Sequence, residues 1–347
     1  MKNSLSRRQF TVGAALAAAA VAAPSLRAQA RIEKPKLSLA VGGKSAFYYL
    51  PLTISEQLGY FKAEGLDVEI SDFAGGAKAL QALMGGSADI VNGAYEHTIN
   101  MHARNQSIQE FVLMGRAPQI SMGVSTKTMA GYKGLADLRG KKIGVSAPGS
   151  STNMISNLVL SRGGVKATDV SYVGVGTSAG AIAAIRSGQI DAMCNTDPIM
   201  TMLEQKGEVK IISDTRTLKG TQDVFGGLMP AACLYTRTDF IRANPNTCQA
   251  LANAVVRGLK WLQTAGPSDI IKTVPETYLL GDRALYLASF NKVREAIALD
   301  GVMPEDGPKT ALRALASFEP DVRPEKIDLA KTYTNEFARR AKDKFKA

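Results

Sequence analysis

The chain contains a G-x-S-x-G segment, Gly176–Gly180, which is the pattern of the nucleophile elbow in serine hydrolases. It lies between a predicted strand and a predicted helix, as an elbow does. The elbow also needs a histidine later in the chain, to act as general base for the serine. The sequence has two histidines, His97 and His102, and both come before the segment. The pattern therefore does not favour a hydrolase.

The same loop matches a second pattern, because Gly174–Ala179 reads G-x-G-x-x-A, the dinucleotide-binding fingerprint. In that fold an acidic residue about 20 residues further on binds the ribose. Asp191 lies near that distance, but it begins its predicted strand, whereas the ribose-binding acid ends one. The fingerprint alone does not establish a cofactor site, and no cofactor is expected.

The two histidines suggest a third possibility, a zinc site. Two ligands on one face of a helix are about three or four residues apart, whereas His97 and His102 are five apart. Glu96 is the neighbouring acid, and the chain offers no further histidine, so we expect no bound metal. His97 follows a predicted strand, and it either points into a ligand cleft or lies at the surface as a cap.

Hydroxyl-bearing residues at two predicted helix starts favour binding instead of catalysis. Ser150, Ser151 and Thr152 lie between a predicted strand and a helix. Thr177 and Ser178 repeat this arrangement one α/β unit later. Helix N-termini with free backbone N–H groups bind anions, although serine and threonine are also ordinary helix caps. Two such loops facing one crevice predict an anion-binding site.

Three aromatic residues, Phe47, Tyr48 and Tyr49, follow the first predicted strand. Ligands bind at the carboxyl ends of parallel strands, and aromatic rings there can form an apolar wall. Because aromatic side chains bury much area, we expect one or two of the three to belong to the core instead.

One stretch of the chain occurs twice. Ala79–Val91 aligns without gaps on Ala181–Met193, and each copy reads as an apolar helix, a glycine turn, an aspartate and an apolar strand. Gly86 and Gly188 stand at the ends of the two helices, where glycine adopts a left-handed conformation without strain. A unit built twice predicts two α/β lobes, and a cleft between lobes is a favoured place for a small ligand.

Strands alternate with helices along most of the chain, which predicts mostly parallel sheets. Residues 231–235 form an apolar predicted strand that returns the chain to the first lobe, and from Asp239 onward the pattern is helical. With 347 residues, of which 45% are apolar, the chain is long enough for two lobes.

Residues 1–30 read as an export signal. Arg7 and Arg8 lie in a basic start, an alanine-rich apolar stretch follows, and Ala28–Ala30 supplies the small residues that a signal peptidase requires. Cleavage is expected near Ala30. Ser6–Phe10 resembles the twin-arginine export motif, and an ordinary secretory signal is the alternative. The mature protein is therefore expected in the periplasm.

The formal net charge is +11. This basic balance favours an anionic ligand or an anionic membrane surface, or it reflects only a solvated surface. The basic residues are scattered until the tail, Arg339–Lys346, so a nucleic-acid-binding stripe is not expected. The three cysteines fit no metal spacing. An exported protein could pair Cys233 with Cys248 or keep buried free thiols.

Three further segments carry a family resemblance. Glu56–Glu69 resembles the GYF-x-x-EGLDVE segment of periplasmic substrate-binding proteins of ABC importers. The branch is the one for nitrate, sulfonate, taurine and bicarbonate, which is related to the thiamine-pyrimidine binders. Leu83–Asp89 resembles the L-x-x-G-x-x-D turn of that family, and Asp137–Val145 is similar to its DLKGKKIGV entry into the second lobe. These motifs are specific for the superfamily but not for the ligand.

The resemblance implies an α/β fold of the type II periplasmic-binding-protein class, whose two lobes are mostly parallel sheets flanked by helices and close on a ligand. The lobes would span residues 31–125 plus 231–347 and residues 126–230. Because Glu96 and Asp197 are acidic, they disfavour simple nitrate or sulfate and favour a sulfonate, a carboxylate or an aromatic, pyrimidine-like solute. The ligand positions of the family fall on Phe47, Tyr48, Gly76, Tyr95, Glu96, His97, Ser150, Ser151, Thr152, Thr177, Ser178 and Asp197.

The same resemblance implies a monomer without catalytic residues that captures a small solute and delivers it to an ABC permease in the inner membrane. Enzymes of the menaquinone and pyrimidine pathways and sensor domains of the LysR kind share this fold and are the alternatives. The export signal argues against both, since such enzymes are not exported and a sensor would carry a DNA-binding segment at that end.

Overall fold

The computed structural model describes residues 31–347, so the predictions about the export signal at residues 1–30 lie outside the described residues. Residues 33–347 form one compact unit that contains two five-stranded sheets. In spatial order, the first sheet is β2 (Asp67–Asp72), β1 (Lys36–Val41), β3 (Ile90–Ala94), β10 (Ala232–Arg237) and β4 (Ile108–Leu113). The second sheet is β7 (Ser171–Gly174), β6 (Lys142–Val145), β8 (Ala192–Thr196), β5 (Ile120–Ser125) and β9 (Val209–Asp214).

Helices flank both sheets and then continue alone to the C-terminus. Those between the strands are α1 (Leu50–Gln57), α2 (Tyr60–Ala63), α3 (Gly76–Met84), α4 (Glu96–Ala103), α5 (Ser151–Arg162), α6 (Ala179–Ser187), α7 (Ile199–Gln205) and α8 (Leu218–Phe225). Those after the last strand are α9 (Thr238–Ala243), α10 (Pro245–Thr264), α11 (Pro267–Thr273), α12 (Arg283–Val293), α13 (Gly307–Ala316) and α14 (Glu336–Phe345). No helix in residues 31–347 is long and apolar enough to cross a membrane.

Both copies of the sequence repeat fold alike. The first copy forms α3 and β3, and the second forms α6 and β8. Gly86 and Gly188 adopt left-handed φ angles of 78° and 81°, as the sequence predicts. Each glycine lets the chain leave its helix and enter the strand without a Cβ clash. The repeat therefore places a helix N-terminus at the same edge of each sheet.

The two-lobed fold class is confirmed: the sheets are mixed, and four of the five strands in each sheet run in the same direction. β1 pairs in parallel with β2 and β3, and β6 pairs in parallel with β7 and β8. β10 runs antiparallel to both its neighbours in the first sheet, and so does β5 in the second. The antiparallel pairs arise because β5 and β10 are the strands that follow a passage from one sheet to the other.

The chain crosses between the sheets twice, through residues 114–119 and residues 215–231, which we call the two crossings. They lie side by side, since the N–H of Gln119 donates to the carbonyl of Thr215 at 3.1 Å and the N–H of Ala231 donates to that of Gly115 at 2.9 Å. The predicted division at residue 125 would assign β5 to the first lobe. Its hydrogen-bonded partners, β8 and β9, belong to the second sheet. The lobe boundaries themselves stay a prediction.

The C-terminal helices do not pack on the first sheet alone. The buried side chain of Leu285, on α12, joins the apolar cluster formed by Met200 and Leu203 of α7 beside the second sheet. All three cysteines are buried and unpaired, so Cys233 and Cys248 form no disulfide.

Candidate functional site

A small cavity of about 20 Å³ lies where loops of the two sheets meet. Cavities of this size hold about one water molecule. Most of the residues around it carry a hydroxyl group. The lining is Gly42, Ala46, Tyr48, Tyr49, Gly76, Ile120, Ser146, Ser150, Ser151, Thr152, Thr177 and Thr196. We call this space the hydroxyl cavity. Arginine and lysine side chains are missing from this lining, so hydroxyl and backbone groups provide its polarity.

Two helices begin at the hydroxyl cavity. α3 starts at Gly76, and α5 starts at Ser151, with Ser150 in the extended N-cap position. The first N–H groups of a helix have no partner inside the helix, and the helix dipole favours negative charge there. Thr152 is held in place because its Oγ1 accepts from the N–H of Ser146 at 3.0 Å. The cavity can therefore hold an anion without a positively charged side chain.

Contacts across the cavity bring the loops of the two sheets close together. The N–H of Ala77 donates to Oγ of Ser150 at 2.9 Å, and Oη of Tyr48 lies 3.5 Å from Oγ of Ser151. A Cβ atom added to Gly75 would lie 2.9 Å from Cβ of Ala147, which is closer than side chains approach. The described arrangement is therefore closed, and a solute larger than water would need the loops to move apart.

Glu96 and His97 lie next to the cavity and are buried, with 3% and 2% exposure. Nδ1 of His97 bonds the hydroxyl of Tyr235 at 3.0 Å, whereas its Nε2 and Oε2 of Glu96 lack a partner among the described residues. The hydroxyl of Ser151 faces the carboxyl group of Glu96. Orphaned buried polar atoms of this kind cost free energy unless a ligand or water satisfies them.

Burial decides the protonation of this pair. It raises the pKa of Glu96 from 4.5 to about 7, against the opposing effect of the Ser151 hydroxyl. It lowers the pKa of His97 from 6.5 to about 4. In the closed arrangement Glu96 is therefore available as a hydrogen-bond donor near neutral pH, and His97 is a neutral imidazole.

Besides Glu96 and His97, four of the predicted ligand positions lie outside the cavity lining. Phe47 is buried and packs on Tyr286 of α12, with ring centroids 4.5 Å apart. The hydroxyl of Tyr95 bonds Oγ1 of Thr332 at 2.6 Å, so this side chain faces the C-terminal segment. Ser178 is exposed at the N-cap of α6. Asp197 is the fourth.

Asp197 is buried beside Arg216, whose side chain is completely inaccessible to solvent. The guanidinium lies 3.7 Å from Oδ1 of Asp197, and it also contacts Asp214 at 2.6 Å and Glu204 at 2.9 Å. Buried charges need partners of this kind. Oδ1 of Asp197 is thus held by Arg216 and by the N–H of Thr201, whereas Oδ2 has no hydrogen-bond partner among the described residues. Burial raises the pKa of this carboxyl group, against the opposing effect of Arg216.

The structure brings together Tyr48, Gly76, Ser150, Ser151, Thr152 and Thr177 in the lining, with Glu96 and His97 beside it. The predicted ligand positions omit Ser146, which follows β6, and Thr196, which ends β8. The rule that ligands meet strand ends would have found both. Nothing in the sequence marks Arg216 as buried.

Comparisons with known proteins agree with this architecture. Residues 46–267 match the family model described as NMT1/THI5 like. A solved structure from Bordetella bronchiseptica RB50 is 59% identical, with a TM-score of 0.90 over 91% of this chain and 100% of that one. A protein of Brucella abortus, named only as a binding protein, is 27% identical over 67% of this chain and 68% of its own.

The fold has a more distant counterpart in the alkanesulfonate-binding protein SsuA of Xanthomonas axonopodis pv. citri, solved with MOPS bound. That chain is 17% identical, with a TM-score of 0.68 over 88% of this chain and 100% of its own. The fold is thus that of the periplasmic binding proteins. Since the family model spans more than half of the sequence, the chain belongs to the NMT1/THI5-like family.

Proposed function

We propose that this protein is the periplasmic solute-binding component of an ABC importer and that it holds a small organic solute between its two lobes. The hydroxyl cavity carries this proposal, because its lining comes from loops of both sheets and two helices begin there. The family membership and the relatives named as binding proteins support it. We infer binding without chemical conversion, by a monomer that is exported before it meets its permease.

The lining favours a solute with an acidic oxygen group. Hydroxyls and free N–H groups at helix starts donate to a sulfonate or carboxylate. The rings of Tyr48 and Tyr49 suit a flat apolar or aromatic body, including a pyrimidine-like one. Asp197 and Glu96 oppose an anion less than their residue types suggest, because Arg216 offsets the first charge and burial favours the protonated form of the second.

The cross-lobe contacts support a capture mechanism based on closure. In the closed form the N–H of Ala77 bonds Oγ of Ser150, and a solute would take over such donors from both lobes at once. A ligand that contacts both lobes binds the closed form more tightly, so it shifts the population toward that form. The permease would then recognise the closed form and receive the solute from it.

A thermal-shift screen of sulfonates, aromatic carboxylates and pyrimidines tests this function. At about 100 times its dissociation constant, a bound solute should stabilise the protein by roughly 2.7 kcal/mol. Ser151→Ala should weaken the shift, whereas Ser161→Ala, at the exposed end of the same helix α5, should keep it. No shift with any compound, or equal shifts for both variants, would contradict the proposal.

A further inference from the structure

A second cavity lies away from the hydroxyl cavity and beside the two crossings. It is an open groove of about 730 Å³, within the size range of small-molecule sites. We call it the crossing groove, because Arg116 of the first crossing and Thr217 of the second both line it. The remaining lining is Leu259, Leu262, Gln263, Asn291, Lys292, Arg294, Glu295, Ile297, Ala298 and Leu299.

One wall of the crossing groove is apolar. Leu259 and Leu262, near the end of α10, and Ile297, in the segment that follows α12, line this wall, but their side chains are almost completely buried. Leu299 is 49% exposed, and in residues 31–347 it is one of two large hydrophobic side chains that stand out to solvent. Leu299 therefore supplies the exposed apolar surface of the crossing groove.

The polar side of the crossing groove is basic, and one of its cations is free to bind. Lys292 is paired with Glu204 at 2.8 Å. Arg294 donates to the last carbonyl groups of α10, including that of Leu262 at 3.0 Å. Arg116 uses Nε, which donates to the carbonyl of Glu295 at 2.8 Å. Its two terminal nitrogens have no partner among residues 31–347.

Arginine with both terminal nitrogens open is suited to planar, bidentate recognition of a carboxylate or a sulfonate. Oε1 of Glu295, the acid in the lining, accepts from the N–H of Leu218 at 2.9 Å, and no ion pair joins Glu295 to Arg116 within residues 31–347. We propose that the crossing groove is a second binding site, which takes an amphipathic carboxylate or sulfonate. The acidic head binds Arg116, and the apolar body packs on the exposed side chain of Leu299. This site goes beyond the proposed function and does not depend on the cavity solute.

Isothermal titration of the purified protein with octanoate tests this proposal. We expect one octanoate per chain, with acetate and octanol each binding at least about tenfold more weakly, since each lacks one of the two recognised parts. Arg116→Gln should weaken octanoate binding about tenfold. Arg116→Lys keeps the charge without the planar pair of donors. Its affinity for octanoate should therefore lie between those of the wild-type protein and Arg116→Gln.

A pair of matched leucine variants separates the crossing groove from general apolar binding. Leu299→Ser should weaken octanoate binding about threefold. Leu228→Ser changes the other exposed hydrophobic side chain of the described residues, which is 39% exposed and outside the groove, and should have no effect. Equal losses in the two variants would overturn the proposal.

A third variant distinguishes the crossing groove from the hydroxyl cavity. Thr177→Trp fills the hydroxyl cavity and should leave octanoate binding intact. If this variant lost octanoate binding while Arg116→Gln bound octanoate normally, the proposal of a site in the crossing groove would be overturned. The proposed function of the hydroxyl cavity would remain. Failure of the wild-type protein to bind octanoate would also overturn the proposal of a site in the crossing groove. Thermal melting of each variant confirms that it is folded.

Discussion

The main-chain N–H of Phe47 donates to the carbonyl oxygen of Asp197 at 3.0 Å, which joins the loop after β1 to the loop after β8. Both residues were predicted to touch the solute. Their side chains instead face the protein: the ring of Phe47 packs on Tyr286, and the carboxyl group of Asp197 lies against Arg216. The pair therefore fixes the position of two loops that border the hydroxyl cavity.

Removal of Arg216 should be strongly destabilising. Arg216→Met leaves Asp197, Asp214 and Glu204 without their shared guanidinium, and breaking a buried ion pair from one side costs about 3–5 kcal/mol. Urea denaturation measures the free energy of unfolding. Arg283→Gln, which removes an exposed pair with Glu276, should cost less than about 1 kcal/mol. Similar costs for the two variants would contradict this account.

A methyl group at Gly75 should hinder closure. Its φ of −174° is extended backbone that any residue adopts, so Gly75→Ala adds little local strain. The added Cβ would meet Cβ of Ala147 at 2.9 Å, where the loops that border the cavity come together. We expect the solute identified by the thermal-shift screen to bind at least about tenfold more weakly, with the free energy of unfolding changed by less than about 1 kcal/mol.

Gly134→Ala is the matched control for this experiment. Gly134 has nearly the same φ, −175°, and a Cβ placed there would meet nothing within 4 Å. Titration calorimetry gives the two dissociation constants, and small-angle X-ray scattering with saturating solute reports whether each variant becomes compact. Equal affinities in the two variants would show that the contact at Gly75 does not limit closure.

Glu96 and His97 should oppose each other in the pH dependence of stability. An acid whose pKa is raised in the folded state loses stabilisation as the pH rises from its ordinary value of 4.5 to about 7. A histidine whose pKa is lowered loses stabilisation as the pH falls from 6.5 to about 4. In the wild-type protein these two effects largely cancel where the two ranges overlap.

Single variants should reveal the two opposite slopes of the free energy of unfolding against pH. Glu96→Gln removes the contribution of Glu96, so its free energy of unfolding relative to wild type should rise with pH between about 4.5 and 7. His97→Gln removes the contribution of His97, so its free energy of unfolding relative to wild type should fall as the pH rises between about 4 and 6.5. Each slope is at most about 1.4 kcal/mol per pH unit.

Urea titrations at several pH values measure both slopes. Glu110 is also buried with a raised pKa, but it is present in all three proteins. The difference in the free energy of unfolding between a variant and wild type therefore isolates the contribution of the replaced residue. Parallel profiles for the two variants would rule out the opposed titrations.

The export route can be tested in the cell. Replacement of Arg7 and Arg8 by lysine should abolish export if the twin-arginine route is used, because that route reads the arginine pair itself. Immunoblots of periplasmic and cytoplasmic fractions report the location of the protein. Arg27→Lys, at the other end of the signal, should leave export unchanged. Continued export of the double variant would instead indicate the general secretory route.

Local patterns predicted the parts of the fold that local physics controls. The repeat placed α3, α6 and their left-handed glycines correctly, because helix ends and strand starts depend on neighbouring residues. Ser150, Ser151 and Thr177 were predicted for the same reason, since each begins or precedes a helix after a strand. All three lie in the cavity lining.

Packing between segments that are distant in the sequence determines the features that local patterns did not predict. Phe47 and Tyr95 follow strands as ligand residues do, but α12 and the segment around Thr332 cover them. Those segments lie far away in the sequence, and the spacing of their apolar residues does not indicate which surface they cover. The same limit applies to Arg216, whose burial depends on three acids brought together by tertiary contacts. It also applies to β5, whose sheet depends on its partners and not on its own residues.

The adjacency of the two crossings limits how the lobes can move. The two crossings are hydrogen-bonded near their ends, from Gln119 to Thr215 and from Ala231 to Gly115, and α8 lies between these two bonds. Sliding of one crossing past the other would break both bonds. We therefore expect the lobes to rotate about an axis near these bonds, so that every closure would return the N–H of Ala77 to Oγ of Ser150.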